Sequence, residues 1–255
     1  FEMAKQYNNA AQQAGIMVMP GVGFDVVPTD CLALFLQHLL PDANRLKLAF
    51  ATTGEGGVSH GTAMTMLEGM GEGGAVREYG RIVKKPLGHK GFWVDFGPKK
   101  LFVMAIPWGD VSTAFHTTGI PFIETYTGIQ PRLYKILKWQ SLFNWLLRTA
   151  PVRRYLKKKI EARGAGPDAA TREGSQSLVW GQASSSKGKK VEARLIGPNG
   201  YTLTAHASLL ITKKVLEGDF TTGYQTPASA YGADLILEVP GVERAVKRPV
   251  KKDEL

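Results

Sequence analysis

The segment "PGVGFDVVPTD", Pro20–Asp30, follows the short apolar run "IMVMP" (16–20) and leads into "CLALFLQHLL" (31–40). In an α/β fold a dinucleotide-binding glycine loop stands in that position, between a strand and a helix. Such a loop needs G-x-G-x-x-G, with the third glycine allowing close packing of helix on strand, and an acidic residue about 20 positions on. Gly21 and Gly23 fit, but Val26 holds the third position, and Pro28 is expected to break the helix start that would receive the pyrophosphate. The segment therefore fails as a phosphate loop. Two readings are left: a strand-to-helix turn that needs positive φ, or a place where the backbone approaches another part of a ligand.

Residues 2–14 carry a helical pattern closed by Gly15, and "IMVMP" suits a short strand buried on both faces. Nothing upstream in the chain supplies a sheet for that strand. The expectation is that most of an α/β domain precedes Phe1, itself not a Met. Thr29 is placed to cap a helix running to Leu40, and "RLKLAFATT" (45–53) alternates Leu46, Leu48 and Phe50 against Lys47 and Ala49, the period of a half-buried strand. "GEGGVSHGT" (54–62) then opens a helix with Ala63, Met66, Leu67 and Met70 on one face. Backbone N–H groups there, with Ser59, His60 and Thr62, suit an anion or carboxylate at the helix start, and His60 suits acid–base work near neutral pH. The alternative is a surface loop whose polar groups are satisfied locally.

Further on, "FWVDF", "LFVMAIP", "VSTAFHT" and "PFIETYT" are expected as strands of a mixed or antiparallel sheet. Residues 131–162 are expected as one or two helices interrupted at Pro151. "SLVWGQAS", "KVEARLI" and "YTLTAHA" suit a meander, a helix follows from Ala207 to Glu217, and a last helix starts with Thr226 as N-cap and Pro227 and runs through "ASAYGADLILEV". The organisation expected is an α+β mixed-sheet domain over 41–225, flanked by 1–40 and 226–255, two pieces suited to packing on something else.

With 255 residues, 44% of them hydrophobic and 21% charged, the chain can bury a sizeable core. Its apolar runs are too short to span a bilayer, and no signal-peptide pattern opens it. A single Cys31 excludes internal disulfides and fits a reducing, cytoplasmic setting; the terminal "KDEL" is read as coincidence, since no sequence for entering the secretory route precedes it. The five His residues have no ligand-like spacing, so no metal site is expected. Signatures of nucleophile elbows, P-loops and zincins are absent. The net charge of +10 suits nucleic acid, acidic lipid or a phosphorylated ligand. The stretch "LYKILKWQSLFNWLLRTAPVRRYLKKKIEAR" (133–163) sets Trp139, Trp145 and many Leu beside Arg148, Arg153, Arg154 and Lys157–Lys159. Three readings apply to it: an insertion whose apolar face covers the sheet or a subunit, a helix on anionic membrane, and, last, a nucleic-acid contact.

In order and spacing, "AQQAGIMVMPGVGFDVVPTDCLA", "GGVSHGTAMTMLEGM", "AIPWGDVSTAFHTTGIPFIETYTG", "GPDAATREGSQSLVWGQA", "GPNGYTLTAHASLLITKKVLEGD" and "GYQTPASAYGADLILEVPGVER" resemble the saccharopine dehydrogenase-like oxidoreductases, a group including the trans-acting enoyl reductase type. The resemblance spans about residues 10 to 244. It implies an NAD(P)-dependent enzyme built from a Rossmann domain and an α+β substrate domain that often makes a dimer contact. This chain departs from that pattern in lacking the glycine fingerprint. On the resemblance, residues 1–40 are the end of a truncated Rossmann domain, and residues 226–255 return to it. The same resemblance puts Gly21, Gly23 and Phe24 beside the nicotinamide of NAD or NADP, Asp25 and His60 in catalytic roles, and Ser59 and Thr62 on a small-molecule substrate. It implies hydride transfer to or from a C=N, C=O or activated C=C group by the full-length parent, with this chain alone inactive. A scaffold or membrane-surface protein using 133–163 is the alternative.

Overall fold

The computed structural model describes residues 1–54, 58–162, 166 and 168–247. The first helical stretch is split into α1 (Glu2–Lys5) and α2 (Asn8–Gln13) rather than continuous, and Gly15, at φ +66°, ends it as expected. The strand that follows, β1 (Met17–Val18), is only two residues long. Helix α3 (Val27–Leu39) starts two residues before Thr29, so Thr29 is not its cap; the Thr29 hydroxyl donates to Val26 O at 3.1 Å. Pro28 lies in the first turn, where a missing N–H costs nothing, and does not break the helix. What closes this helix start to a phosphate is burial: Val27, Pro28, Thr29 and Asp30 are all inside the protein.

The strand β2 (Ala43–Thr52) is followed by α4 (His60–Glu68) and a hairpin with no counterpart in the sequence reading, β3 (Gly74–Glu78) and β4 (Arg81–Lys85). Its two-residue turn places Tyr79 at φ +50° and Gly80 at φ +75°, the left-handed pair that tight hairpins require. A second hairpin, β5 (Gly91–Asp95) and β6 (Lys100–Ala105), matches expectation. "VSTAFHT" does not: it lies in helix α5 (Asp110–Thr118), which ends at Gly119 with φ +69°. Its hydroxyls are all bonded: Thr118 Oγ1 donates to Ala114 O at 2.6 Å within the helix, while Ser112 and Thr117 reach out to the carboxylates of Glu2 and Asp30.

After β7 (Phe122–Gly128) come α6 (Pro131–Leu137), a 3₁₀ turn, α7 (Asn144–Leu147) and α8 (Ala150–Glu161). Pro151 opens α8 instead of interrupting a helix. The short α9 (Ala169–Glu173) precedes β8 (Gln176–Ser185) and β9 (Lys190–Pro198). "YTLTAHA" is the start of α10 (Gly200–Leu216), not a third meander strand. The strand β10 (Gly223–Tyr224) pairs in parallel with β1, so β1 finds its partner near the other end of the chain. The expected last helix is short, α11 (Pro227–Tyr231): Gly232, at φ +85°, ends it, and after a 3₁₀ turn the chain forms β11 (Glu243–Lys247).

Among the described residues nine strands form the main sheet, a mixed one as expected, in the order β11-β9-β8-β2-β7-β3-β4, with β6 also on β7 and β5 on β6. Strand β2 is parallel to β7 (Leu46 opposite Ile123) and antiparallel to β8 (Leu48 opposite Gly181). Helices α3, α5, α10 and α11 cover one face, where Leu32, Leu36, Leu46, Leu48, Ile123, Leu203 and Ile211 share a core. Each fully buried Leu or Ile there contributes on the order of 2 kcal/mol. Ala49 and Ala51 of β2 are not on a solvated face. They pack with Phe96, Val103, Tyr126, Leu178 and Trp180 in a second core under the β5–β6 hairpin.

Two carboxyls lie inside this fold. Asp30 joins three helices: its Oδ1 accepts from Thr117 Oγ1 at 2.5 Å and its Oδ2 from Ala228 N at 2.8 Å. Burial still raises it to about 6. Asp110, the first residue of α5, is 0% exposed and neither carboxyl oxygen has a hydrogen-bond partner among the described residues. Burial raises its carboxyl well above the ordinary range, and the neighbouring Asp30 and Asp25 push the same way. A carboxyl raised on folding favours the folded state when protonated, at low pH, and that contribution is lost as pH rises through the folded value. Asp110→Asn, which carries no charge to desolvate, is therefore expected to be more stable than the parent at pH 8, with the gap closing as pH falls toward 4. Urea denaturation across that range measures it, and a pH-independent difference would contradict the account.

Candidate functional site

The residues singled out in the two glycine-rich segments meet at the start of α10. Asn199 caps this helix: its Oδ1 accepts from Tyr201 N at 2.9 Å, while its Nδ2 donates to Ser175 Oγ at 2.7 Å inside the protein. Leu203, Ala207 and Ile211, spaced four apart, hold the helix against the sheet. Tyr201 and Thr204 are thereby fixed in its first turns.

Thr204 engages the first glycine segment. Its Oγ1 accepts from Phe24 N at 3.0 Å and donates to Gly200 O at 2.8 Å. A Cβ at Gly23 would lie 2.9 Å from Thr204 Cγ2, and one at Gly21 would lie 2.6 Å from Val26 Cγ2. Neither glycine has a positive φ, so the turn needs them for crowding rather than for a left-handed backbone. The Phe24 ring meets Phe50 edge-on at 5.7 Å, and Phe50 meets Trp108 at 4.6 Å. Trp108 Nε1 donates to Asp25 O at 2.8 Å, which ties the aromatic group to the loop backbone. Gly200 leaves space for Phe24, whose ring would be 3.3 Å from a Cβ there.

Tyr201 engages the second segment. Ser59 caps α4, its Oγ accepting from Thr62 N at 3.2 Å, and its own N–H donates to the Tyr201 hydroxyl at 2.6 Å. Thr62 Oγ1 is 3.4 Å from the same hydroxyl. Burial opposes ionisation of the phenol, but hydrogen bonds from Ser59 and Thr62 outweigh it, and Tyr201 is held below the ordinary tyrosine range against the opposing field of Asp25. The Asp25 side chain is exposed at its surface, yet the packed walls around it desolvate its carboxyl enough to raise it. Tyr201 itself is 38% exposed.

Phe24, Asp25, Ser59 and Thr62 are thus gathered around Tyr201 and Thr204. His60, the first residue of α4, is exposed beside this group, and its ring has no hydrogen bond among the described residues. Glu55, Gly56 and Gly57 of the same glycine-rich segment lie outside the described residues. Tyr201, Thr204 and Trp108 were not anticipated from the sequence. The signal for the first two was present in "GPNGYTLTAHA": a capping Asn199 followed by apolar residues at helical spacing. No group of three or more His, Cys, Asp or Glu side chains converges among the described residues. An apolar groove lined by Ile16, Met17, Met19, Val22, Ile211 and Phe220 lies between β1 and the far half of α10, with Val22 of the glycine loop in its wall.

No family model matches the chain, and no curated protein matches it in sequence. Among solved structures, its fold is similar to that of apo histidine-tagged saccharopine dehydrogenase (L-Glu forming) from Saccharomyces cerevisiae. That likeness has a TM-score of 0.58 at 11% identity and covers 95% of this chain and 77% of the other. The chain therefore has a saccharopine dehydrogenase-like fold.

The arrangement around Tyr201 makes a spectroscopic prediction. The ultraviolet titration of the protein minus that of Tyr201→Phe is expected to show one phenol ionising below the ordinary tyrosine range. Thr62→Ala, which removes one of the bonds favouring the phenolate, is expected to move that component upward. A difference titration at the ordinary tyrosine value would contradict the assigned hydrogen bonds.

Proposed function

We propose that this chain provides the nicotinamide-side and substrate-side walls of an NAD(P)-dependent oxidoreductase acting on a small molecule with a C=N, C=O or activated C=C group. The observation that carries the reading is the junction at α10, where one helix start binds both glycine-rich segments through Thr204 and Tyr201. The saccharopine dehydrogenase-like fold supports it.

The residues present suit one end of a dinucleotide better than the other. Phe24, Phe50 and Trp108 offer aromatic surface beside a polar edge, which suits a flat, partly charged ring. The start of α3, by contrast, is buried and carries Asp30, which excludes it as a pyrophosphate cradle. Gly21 and Gly23 then act by letting the loop close on Val26 and Thr204, which positions Phe24.

A bound reduced nicotinamide supplies the hydride; this chain's part is orientation and the proton. Tyr201, with an ionised form stabilised by the Ser59 N–H and the Thr62 hydroxyl, can release its proton to the substrate nitrogen, oxygen or carbon as the hydride arrives at the neighbouring carbon. Asp25 and His60 are the groups that return a proton to it from solvent. Ser59 and Thr62 contact the substrate side while fixing the phenol.

Saturation-transfer NMR with NADPH tests this reading. Saturation is expected to reach the nicotinamide protons more strongly than the adenine protons, because the described residues offer no pyrophosphate cradle, and Phe24→Ala is expected to remove most of the nicotinamide signal. Stronger saturation of adenine, or a signal indifferent to Phe24→Ala, would overturn the reading.

A further inference from the structure

We propose that residues 131–160 form a docking surface for the face of an anionic lipid bilayer. The stretch holds nine Lys or Arg and no Asp or Glu, in a chain whose whole net charge is +10. No helix among the described residues is long and apolar enough to cross a membrane, so the contact is with the bilayer surface.

The side chains that fasten this stretch to the protein are partly the polar ones. Arg148 donates from Nη2 and Nε to Gly71 O at 2.8 and 3.2 Å, and Arg153 Nη2 reaches Met70 O at 3.3 Å. The Tyr134 ring lies tilted against Phe102 at 5.0 Å, and Val152, Leu156 and Ile160 form the half-buried stripe of α8. Between these anchors the apolar side chains face solvent. Ile136 is 70% exposed, Trp139 61%, Leu142 61%, Phe143 54% and Trp145 71%. Five large apolar side chains exposed within ten residues mark a contact surface rather than a solvated loop.

Charge selects the occupant. Exposed Arg132, Lys135 and Lys138 surround the first part of the apolar stretch, and exposed Arg154, Lys157, Lys158 and Lys159 follow it on α8. A second copy would bring the same positive charge against itself, whereas anionic headgroups neutralise it. Two exposed Trp residues fit the boundary between headgroups and acyl chains, where an amphipathic indole is most stable. Each basic residue held near such a surface strengthens binding about five-fold.

Vesicle flotation of the whole chain tests the proposal, comparing phosphatidylcholine alone with phosphatidylcholine containing phosphatidylserine. Binding to the mixed vesicles, weakened by added salt and accompanied by a blue shift of Trp emission, is expected. The exposed triple change Lys157→Gln, Lys158→Gln and Lys159→Gln is expected to weaken binding at least about ten-fold. The pair Trp139→Ser and Trp145→Ser is expected to remove the blue shift. No binding to the mixed vesicles, equal binding to both kinds, or binding unchanged in both variants would overturn the proposal. So would a dimer in solution that the Trp changes dissolve while vesicle binding is absent.

Discussion

Helix α3 lies on the main sheet where strand β8 has no side chain to keep it away. A Cβ at Gly181 would stand 2.6 Å from Leu36 Cδ1 and 3.1 Å from Leu32 Cδ2, so the glycine sets how closely helix and strand approach. Much else follows from that contact. With α3 drawn onto the sheet, the loop before it comes to the end of β2, and Phe24 meets Phe50 there. The buried Asp30 carboxyl then ties α3 to Thr117 of α5 and to the amide of Ala228 at α11. A larger residue at 181 would have to displace the Leu32 and Leu36 side chains by which α3 packs on the sheet.

Helix α4 connects the two functional readings. Its first turn carries Ser59 and Thr62 against Tyr201, and the carbonyls of Met70 and Gly71 just beyond its end receive Arg153 and Arg148 from the basic stretch. The Tyr201 hydroxyl is the point at which the loop field and the α4 cap act together: the cap's donors favour its ionised form, and Asp25 opposes it. A phenol balanced in this way can both give and take a proton.

Much of the fold was legible wherever hydrophobic period and termination agreed. The alternation Leu46, Leu48, Phe50 marked β2, Gly15 and Gly218 marked helix ends, and Thr226 with Pro227 marked the start of α11. The two strand-for-helix errors share one physical origin. In "VSTAFHT" and "YTLTAHA" the β-branched residues favour strand locally, but tertiary packing of Val111, Ala114, Leu203 and Ala207 decides for helix, with Thr118 and Thr204 hydroxyls bonded back to the preceding turn. Pairing of β1 with β10 joins residues about two hundred positions apart, which no local pattern records. Ser59 and Thr62 were singled out from the glycine-rich helix start, and Phe24 and Asp25 from the family resemblance alone. Tyr201 was hidden because its helix was read as a strand.

The central claim is that the two glycine-rich segments and the start of α10 make one ring-binding surface. Amide chemical-shift mapping with reduced nicotinamide mononucleotide, which has the ring and no adenine half, tests it most directly. The account predicts shifts concentrated at Phe24, Asp25, Ser59, Thr62, Tyr201 and Thr204. Shifts confined to the apolar groove around Met19, Ile211 and Phe220, or scattered over the surface without these residues, would contradict it.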